Sequence, residues 1–438
     1  MYLPENIKNC IDLLENAGFA AYAVGGCVRD ACLGLSPHDY DLCTSALPEQ
    51  TEEVFRDFRL VLAGEKHGTV TVLTECSPVE ITTFRTEGGY RDNRHPDWVK
   101  FLPDIEGDLA RRDFTVNAMA YSPKRGFADP FGGREDLKNH ILRSVGDPEA
   151  RFREDSLRIL RGVRFAARFR LTPEEKTMEA MGSQAHLMEN LARERVFEEL
   201  CKLLLVAKAE DITRFSPILA AVIPELAPMI GFDQHSPHHA YDLIIHTAHV
   251  VEGVPAELPL RWAALLHDTG KVTTFTLDAT GRGHFYGHAR DSAAIADDIL
   301  RRLKAPTALR EETVTLIGQH MTRLQPDRKF LRRQVSKFGF PMVEAELALQ
   351  QADMGSKGTE EDNGSAVFAE VRQLLEELKA EDACLSLKDL AVNGNDLMAL
   401  GFRGREIGLC LNRLLEQVLE EQLPNERKAL LDYAAGRR

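Results

Sequence analysis

Apolar positions along the chain divide it into an N-terminal part with mixed periodicity and a longer helical part. Helical spacing of apolar residues over 7–14 predicts a first helix, which Gly18 would end. Short β-branched or apolar runs then predict strands over 19–24, 40–43, 69–73 and 79–84. From Asp155 onward amphipathic helical patterns replace nearly all strand patterns. The sequence therefore predicts an α+β protein with a small mixed sheet in its N-terminal part and all-α regions after it.

Composition supports a folded protein with several domains. The chain has 438 residues, of which 44% are hydrophobic and 28% charged. No apolar run approaches the roughly 20 residues of a membrane span, and the N-terminus has no signal-peptide pattern. We therefore predict a cytoplasmic protein without a membrane segment. The eight cysteines contain no Cys-x-x-Cys pair, which favours reduced thiols over zinc or disulfides.

The formal charge of −14 argues against indiscriminate binding of nucleic acid. One segment departs from this balance, since the stretch from Arg143 to Arg170 contains eight arginines and only four acidic residues. An RNA ligand would have to be bound at such a basic region.

A glycine pair stands where the first strand ends and a short helix is predicted. Gly25 and Gly26 would leave backbone amides accessible to a triphosphate, and Arg29 would add positive charge. Paired glycines in a turn are more often structural, so this feature gains weight only from its neighbours.

Three acidic residues fall in or beside the next predicted strands. Asp39 and Asp41 are two positions apart, and in a strand both carboxylates would project from one face. Such a pair needs a cation between its members, and two Mg²⁺ ions there could support in-line nucleotidyl transfer. Glu80, within the strand predicted over 79–84, is a third acid for the same metals. A solvated loop is the alternative for the Asp pair taken alone.

Two further clusters carry groups that suit phosphate and ribose. The first is predicted to begin a helix and contains Arg111, Arg112, Asp113 and Asn117. The second is predicted as a helix that opens at Glu154 and Asp155 and runs to about Arg168, with its arginines on the arc opposite to the apolar residues: Arg158, Arg161, Arg164 and Arg168. A solvated charged face is the ordinary interpretation, but acids do not alternate with these arginines.

These segments, in this order, resemble the class II tRNA nucleotidyltransferases, the family of the CCA-adding enzymes and of bacterial poly(A) polymerases. The resemblance covers about the first 205 residues and includes Asp-Pro-Phe-Gly-Gly at 129–133 and Arg-Glu-Arg-Val-Phe-Glu-Glu at 193–199. It implies a polymerase-beta-like nucleotidyltransferase head and a helical neck. It also implies that the protein adds CCA to the 3′ end of tRNA from CTP and ATP, using Mg²⁺.

The resemblance assigns roles to particular residues. Asp39 and Asp41 would bind the metals, with Glu80 as the third acid. Glu154, Asp155 and Arg158 would contact the nucleotide, with Asp155 and Arg158 as a protein template. A carboxylate accepts from the amino group of cytosine or adenine and a guanidinium donates to the ring nitrogen, whereas uracil and guanine present a carbonyl instead. The polar segment 85–107 resembles the family's flexible loop, which favours complete CCA addition.

Nine of the fourteen histidines lie between Ile230 and Leu324. An adjacent His267-Asp268 pair ends an apolar helix, with His246 before it and Asp353 after it. These four residues resemble the ligand set of the HD superfamily of metal-dependent phosphohydrolases, which implies a divalent transition metal. His288 and His320 could complete a second metal position. The alternative is a vestigial helical module that serves only as a scaffold.

The predicted organisation is a head (1–145), a neck for nucleobase recognition (146–205), an RNA-binding body (206–240), an HD domain (241–365) and a tRNA-binding tail (366–438). The alternatives are a poly(A), A-adding or CC-adding polymerase of the same family, chiefly an HD phosphohydrolase acting on RNA ends, or an RNA-binding protein with both sites silent. The resemblance implies tRNA as a partner and ATP and CTP as substrates, and no protein partner is evident from the sequence.

Overall fold

The structure, a computed structural model, describes residues 1–64, 68–88, 98–236, 240–358, 364–381 and 383–436. These residues divide into two compact units, one of residues 1–207 with 214–227 and the other of residues 208–213 with 228–438. The five-domain division remains a prediction. No helix among the described residues is both long and apolar enough to cross a bilayer.

The first unit combines a seven-stranded mixed sheet with short helices. The strands of the seven-stranded sheet are β1 (Ala21–Val24), β2 (Asp41–Thr44), β3 (Arg59–Val61), β4 (Thr69–Leu73), β5 (Pro78–Thr83), β8 (Ala120–Ser122) and β9 (Gly126–Ala128). Six further strands form three separate pairs: β6 (Arg85–Gly88) with β7 (Trp98–Phe101), β10 (Ile141–Leu142) with β11 (Thr172–Pro173), and β12 (Thr276–Leu277) with β13 (Gly283–His284). The sheet order is β3-β4-β5-β2-β1-β8-β9, and only β2 and β5 in it are parallel.

Helices make up most of the remaining described residues. They are α1 (Glu5–Asn16), α2 (Gly26–Cys32), α3 (Pro48–Val54), α4 (Ile105–Ala110), α5 (Gly133–Lys138), α6 (Pro148–Glu154), α7 (Leu157–Phe169), α8 (Glu175–Ser183), α9 (Arg193–Leu204), α10 (Ala209–Leu219), α11 (Leu243–Gly253), α12 (Leu258–Leu266), α13 (Lys271–Thr274), α14 (His288–Arg302), α15 (Thr307–Gln319), α16 (Arg328–Phe338), α17 (Phe340–Gly355), α18 (Ser365–Ala380), α19 (Gly394–Ala399), α20 (Arg405–Leu419) and α21 (Arg427–Ala435). The predicted fold class is confirmed.

Strand pairing brings the predicted catalytic segments together at the point where β1 ends and β2 begins. The antiparallel pairing of β1 with β2 sets Val24 opposite Asp41, so the Gly25-Gly26 turn lies beside Asp41. The parallel pairing of β2 with β5 sets Asp41 directly opposite Glu80. Gly25 also donates its backbone N–H to the carbonyl of Met119, which ties the segment before β8 to the same turn.

Several local predictions are corrected by the structure. Asp39 precedes β2 and is not part of it, so the two aspartates do not share a strand face. The segment Arg111–Ala118 does not begin a helix, since it follows α4 and contains only a short 3₁₀ turn at Thr115–Asn117. Glu154 ends α6 and Asp155 lies between α6 and α7, where a single helix was predicted.

The predicted flexible loop, 85–107, is only partly irregular. Its two arms pair as the antiparallel hairpin β6–β7, and its last residues enter α4. The segment 89–97, between the arms, lies outside the described residues.

The second unit is helical and has its own apolar core. Buried residues of α16, α17, α18 and α20 meet there, among them Leu331, Leu347, Val371 and Leu414. Helix α17 also packs with α11, α12 and α15, and the predicted histidine ligands lie on or directly after the helices α11, α12, α14 and α15.

Candidate active site and a second candidate metal centre

A cleft of about 410 Å³ in the first unit collects most of the residues predicted from the N-terminal half. It contains thirteen of the sixteen residues predicted there: Gly25, Gly26, Arg29, Asp41, Arg111, Arg112, Asp113, Asn117, Asp155, Arg158, Arg161, Arg164 and Arg168. Phe165 and Arg195 complete its lining. Asp39, Glu80 and Glu154 are not part of this lining.

The acidic end of the cleft is formed where β2 begins. Asp41 and Glu80 face each other across the two strands. Burial of the Asp41 carboxyl, and next the charge of Glu80, raise the pKa of Asp41 while Arg112 opposes the rise. Glu80 is exposed, because β5 turns Val79 and Ile81 into the core and Glu80 away from it. A cation would relieve this repulsion, so the donors suit a divalent metal.

Asp39 is placed differently from the other two acids. Its side chain is 87% exposed, and its Oδ1 lies 3.1 Å from Nδ1 of His38. It nevertheless contributes to the raised pKa of Asp41, which places its charge in the same region.

Two arginines of the cleft are held by a buried acid that the sequence interpretation missed. Asp108 is fully buried in α4, and its Oδ1 accepts from Nε of Arg111 (3.0 Å) and its Oδ2 from Nη2 of Arg112 (3.2 Å). Burial alone would raise the pKa of Asp108, but the two arginines outweigh burial and lower it. The spacing Asp-x-x-Arg-Arg on a helix is the signal that could have identified it.

The Arg112 guanidinium packs against the glycine turn. A Cβ on Gly25 would come within 2.8 Å of Arg112 Nη1, and Gly25 has a φ of +77°. The turn therefore needs glycine both for its backbone conformation and for the space that Arg112 occupies.

Arg29 forms the floor of the cleft beside this turn. It donates to Asn117 Oδ1 and to Asp30 Oδ1, and its guanidinium stacks 4.2 Å above the Phe169 ring. Three of its five N–H groups are engaged within the protein, so Arg29 supports the shape of the cleft as well as adding positive charge to it.

Three arginines of α7 form ion pairs within the unit, namely Arg158, Arg161 and Arg164, whereas Arg168 lines the cleft and is exposed to solvent. Arg161 donates twice to Asp113, at 2.9 and 2.7 Å, and Arg164 donates to Glu199 of α9 at 2.6 Å. Burial would raise the pKa of Asp113, but Arg161 and the Asn117 side chain lower it to about 2. The acids that pair with Arg161 and Arg164 therefore come from distant segments, whereas Glu154, which pairs with Arg158, lies just before the helix.

The predicted base-reading pair lies at the start of α7. Asp155 accepts from the Leu157 amide (3.1 Å) and from Nη2 of Arg195 (3.1 Å). Arg158 donates to Glu154 and to the carbonyls of Arg151 and Arg111. Of the five guanidinium N–H groups these bonds occupy three, so donors remain for a ligand. Arg195, which the sequence interpretation placed only in the 193–199 motif, orients Asp155.

The second unit contains the histidine cluster, in and beside a pocket of about 440 Å³. His246, His267 and Asp268 form one compact group of metal-ligating atoms, and Asp268, His288 and His320 form another. Asp353 completes the set, with Oδ1 3.1 Å from His246 Nε2. The structure thus brings all six predicted residues together.

Backbone carbonyls orient the four imidazoles. Nδ1 of each ring faces a carbonyl oxygen at 2.6–3.1 Å, the acceptors being Ser356, Ala264, Phe285 and Ile317. Since a carbonyl can only accept, each Nδ1 carries the proton and each Nε2 of a neutral ring presents a lone pair to the centre. His288 Nε2 and His320 Nε2 lie 3.2 Å apart in this arrangement.

Charge and burial in this cluster favour a cation at its centre. Burial lowers the pKa of His320 to about 4 and also lowers that of His288. Against the effect of burial, His267 and Lys271 hold the pKa of Asp268 well below its ordinary value, and Asp268 in turn raises the pKa of His267. Neutral imidazoles and ionised carboxylates are the forms that bind metal. Lys271, which the sequence interpretation missed, lies 2.7 Å from Asp268 Oδ2.

Comparisons with known proteins match the chain to families of RNA nucleotidyltransferases. The family model "Poly A polymerase head domain" matches residues 21–143, "Probable RNA and SrmB-binding site of polymerase A" matches 170–229, and the model of tRNA nucleotidyltransferase domain 2 matches 288–434. The solved CCA-adding enzyme of Bacillus stearothermophilus in complex with CTP is similar to the chain with a TM-score of 0.75 and 27% identity, covering 100% of this chain and 98% of that one.

Sequence relatives match either part of the chain or nearly all of it. The CCA-adding enzyme of Lactobacillus helveticus is 49% identical over 193 residues, which are 44% of this chain and 48% of that enzyme. The CCA-adding enzyme of Streptococcus mutans is 33% identical over 440 residues, which are 99% of this chain and 98% of that enzyme. The chain therefore belongs to the family of CCA-adding enzymes, a family of tRNA nucleotidyltransferases.

Proposed function

We propose that the protein adds CCA to the 3′ end of tRNA, transferring nucleotides from CTP and ATP with release of pyrophosphate. The observation that supports this function best is the convergence in one cleft of Asp41, a wall of arginines and the Asp155–Arg158 pair. Family membership supports the same substrates.

Asp39, Asp41 and Glu80 would hold the divalent metal, for which we propose Mg²⁺. When bound, Mg²⁺ would neutralise phosphate charge and lower the pKa of the attacking 3′ hydroxyl. The opposed Asp41 and Glu80 carboxylates, with the raised pKa of Asp41, are the observation that fits such an ion.

The arginine wall would bind and orient the triphosphate. Asp108 fixes Arg111 and Arg112 at the glycine turn, so these guanidinium groups are oriented before the nucleotide arrives. Charged donors held in place in this way lose little conformational entropy when they bind phosphate.

Asp155 and Arg158 would select the base. Asp155 would accept from the exocyclic amino group of cytosine or adenine, and Arg158 would donate to the ring nitrogen. Uracil and guanine place a carbonyl oxygen opposite the half-buried Asp155 carboxylate, so two acceptors face each other without a donor between them. The selection of C and A over U and G follows from that mismatch.

Incorporation assays test this function. The protein would be incubated with Mg²⁺, radiolabelled CTP or ATP, and tRNA transcripts that lack CCA, CA or A. We expect each transcript to be completed and extension to stop. Long A tails would instead indicate the poly(A) polymerase alternative, and absence of CTP incorporation would contradict the proposal.

Two substitutions assign the activity to the cleft. Asp41→Ala should abolish incorporation, whereas His267→Ala should leave it unchanged. Asp155→Ala should admit UTP, and full discrimination against UTP in this variant would contradict the base-reading role.

We also propose a second function, a metal-dependent phosphohydrolase in the second unit. It is favoured by the four imidazoles whose Nδ1 atoms face carbonyls, since that pattern orients Nε2 for a metal. The mixed imidazole and carboxylate donors suit a divalent transition metal. Metal content by mass spectrometry tests it: Mn²⁺, Fe²⁺, Co²⁺ or Ni²⁺ should bind at the wild-type site, and His267→Ala should lose the ion.

The cytoplasm as the place of action, and complete CCA addition assisted by the segment 85–107, belong to the same proposal.

A further inference from the structure

The hairpin β6–β7 of the first unit presents a tryptophan to solvent. In its antiparallel register Gly88 lies opposite Trp98, and Thr86 lies opposite Lys100. Residues directly opposite each other in such a pair have their side chains on one face, so Trp98 and Lys100 share a face of the hairpin. Trp98 is 52% exposed, although tryptophan is on average a well-buried residue. Its exposure therefore needs an explanation beyond packing.

Gly88 provides the space in which the indole ring lies. A Cβ built on Gly88 would come within 2.6 Å of Trp98 Cζ2 and 3.1 Å of Trp98 Cε2. The ring therefore lies across the backbone of the opposite strand, at a position where only glycine leaves room for it. One face of the ring packs on the hairpin, and the other remains accessible. A ring held in this way loses little conformational entropy when a flat partner stacks on it.

The opposite face of the hairpin rests on the seven-stranded sheet. Phe101 belongs to that face, together with its cross-strand partner Arg85. A Cβ on Gly68, the residue before β4, would come within 2.7 Å of Phe101 Cε1, so the Phe101 ring lies against this glycine. Successive side chains of a strand alternate between its faces. The face with Trp98 and Lys100 is therefore the outer one, and both side chains are exposed.

The base of the hairpin is connected to the nucleotide cleft. The Arg85 amide donates to Asp108 Oδ1 (3.3 Å), and the same carboxylate binds Arg111 and Arg112 of the cleft. Trp98 lies opposite the residue three positions further along β6, which is roughly 10 Å along the strand. The described lining of the cleft includes no residue of β6 or β7. The exposed ring thus lies outside the site proposed for the incoming nucleotide and is connected to it through Asp108.

We propose that Trp98 stacks on a nucleobase of the RNA whose 3′ end is extended, and that Lys100 contacts a neighbouring phosphate. An aromatic face beside a cation is the combination that binds single-stranded nucleic acid whatever its sequence. The incoming CTP or ATP is not the occupant, because its base is assigned to Asp155 and Arg158 in the cleft. The RNA end must reach the same cleft, and its unpaired bases are free to stack. The inference rests on the proposed CCA addition and adds a residue that binds the RNA.

Steady-state kinetics test the stacking role. The full-length protein would incorporate labelled CTP into a tRNA transcript that lacks CCA, with each substrate varied in turn. Trp98→Ala should raise KM for the transcript about tenfold and leave KM for CTP unchanged, whereas Trp98→Phe keeps a flat ring and should lose much less. An unchanged KM for the transcript in Trp98→Ala, or an equal rise in both KM values, would overturn the proposal.

Two further variants separate stacking from general disturbance. Gly88 does not have a positive φ, so Gly88→Ala displaces the indole ring without straining the backbone and should resemble Trp98→Ala. Phe127→Ala removes another exposed ring of the same unit, on β9, and should leave both KM values unchanged. A wild-type KM for the transcript in Gly88→Ala, or a tenfold rise in Phe127→Ala, would contradict the role of Trp98.

Tryptophan fluorescence tests the contact without catalysis. Trp98 and Trp262 are the two tryptophans of the chain, and Trp262 is fully buried. Titration with the transcript in the absence of CTP and ATP should therefore quench the emission of Trp98, and Trp98→Phe should abolish the quenching. If the wild-type protein incorporates no CTP, the proposed CCA addition fails, and this titration still decides whether RNA stacks on Trp98. No quenching, or equal quenching in Trp98→Phe, would overturn the proposal.

Discussion

At the scale of single residues, Asp108 shows how a buried charge can support a site that it does not enter. It has no access to solvent, yet it binds both arginines that stand at the glycine turn. Asp108→Asn should therefore loosen Arg111 and Arg112 and raise KM for CTP roughly tenfold or more, with a smaller change in kcat. Steady-state incorporation kinetics measure this split.

The same helix offers a control for simple destabilisation. Asp104 caps α4 by accepting from the Gly107 amide but contacts neither arginine. Asp104→Asn should cost at most about 1 kcal/mol of stability and leave KM unchanged. Equal effects of the two substitutions on KM would indicate that Asp108 acts only through the stability of the helix.

Another residue-scale prediction concerns Glu346, a carboxyl buried in α17. Burial raises its pKa from 4.5 to about 8, although a hydrogen bond from Gln350 opposes the rise. The folded state holds the proton of Glu346 more tightly than the unfolded state does. The stabilisation that comes from this protonated carboxyl is therefore fully present below pH 4.5 and is lost as pH rises toward 8. Glu346→Gln should remove that loss and make the protein more stable than wild type by roughly 2–4 kcal/mol at pH 8, with little gain near pH 5.

Denaturant unfolding at the two pH values measures this difference. Glu344 is a matched control, since it lies on the same helix but is partly exposed and pairs with Lys379 at the surface. Glu344→Gln should change stability little at either pH. A wild-type stability that does not fall between pH 5 and 8 relative to Glu346→Gln would contradict the buried-acid interpretation.

At the scale of elements, substitutions at the two ends of α2 distinguish the effect of backbone strain from the effect of site geometry. Gly25 and Gly34, at the two ends of α2, have φ values of +77° and +72°. Alanine at Gly34 should cost about 1 kcal/mol through the left-handed backbone. Alanine at Gly25 should cost more, because its φ of +77° is combined with a ψ of −124°, which lies outside the left-handed helical region. Only at Gly25 would the new Cβ meet Arg112; nothing lies within 4 Å of the corresponding Cβ at Gly34.

Gly25→Ala should therefore reduce CTP incorporation strongly even at a temperature at which it is folded, whereas Gly34→Ala should lower the melting temperature less and leave incorporation close to wild type. Incorporation rates together with thermal melts distinguish the two effects. Similar incorporation by both variants would show that the Arg112 position is not required.

The elements also show what periodicity and spacing could and could not predict. The first helix and the strand over 69–73 were predicted correctly because their apolar periodicity is local. Asp39 was misplaced because the strand begins two residues later, and strand ends depend on pairing partners. The arginines of α7 were recognised, but their acidic partners were not, since Asp113 and Glu199 are 48 and 35 residues distant in sequence.

At the scale of the whole molecule, each proposed site lies entirely within one compact unit. The nucleotide cleft is formed by residues 25–195, and the histidine cluster by residues 246–353. The formal charge of −14 is a sum over the whole chain, so it does not reveal that eight arginines line the cleft. Net charge alone would therefore have argued against the substrate that the cleft suits.

Because the two proposed sites lie in different units, we expect each ligand to stabilise only the unit that binds it. A ligand that binds only the folded state at 100 times its Kd stabilises by about 2.7 kcal/mol, which corresponds to roughly 100-fold slower amide exchange through unfolding. In hydrogen-exchange mass spectrometry, CTP with Mg²⁺ should protect peptides of α7 and β2, and Mn²⁺ alone should protect peptides of α11 and α12. His267→Ala should lose the second protection and retain the first, and Asp41→Ala should weaken the first and retain the second. Protection of α11 and α12 by CTP with Mg²⁺ in the His267→Ala variant would contradict this assignment, because that variant lacks the imidazole on which the second site depends.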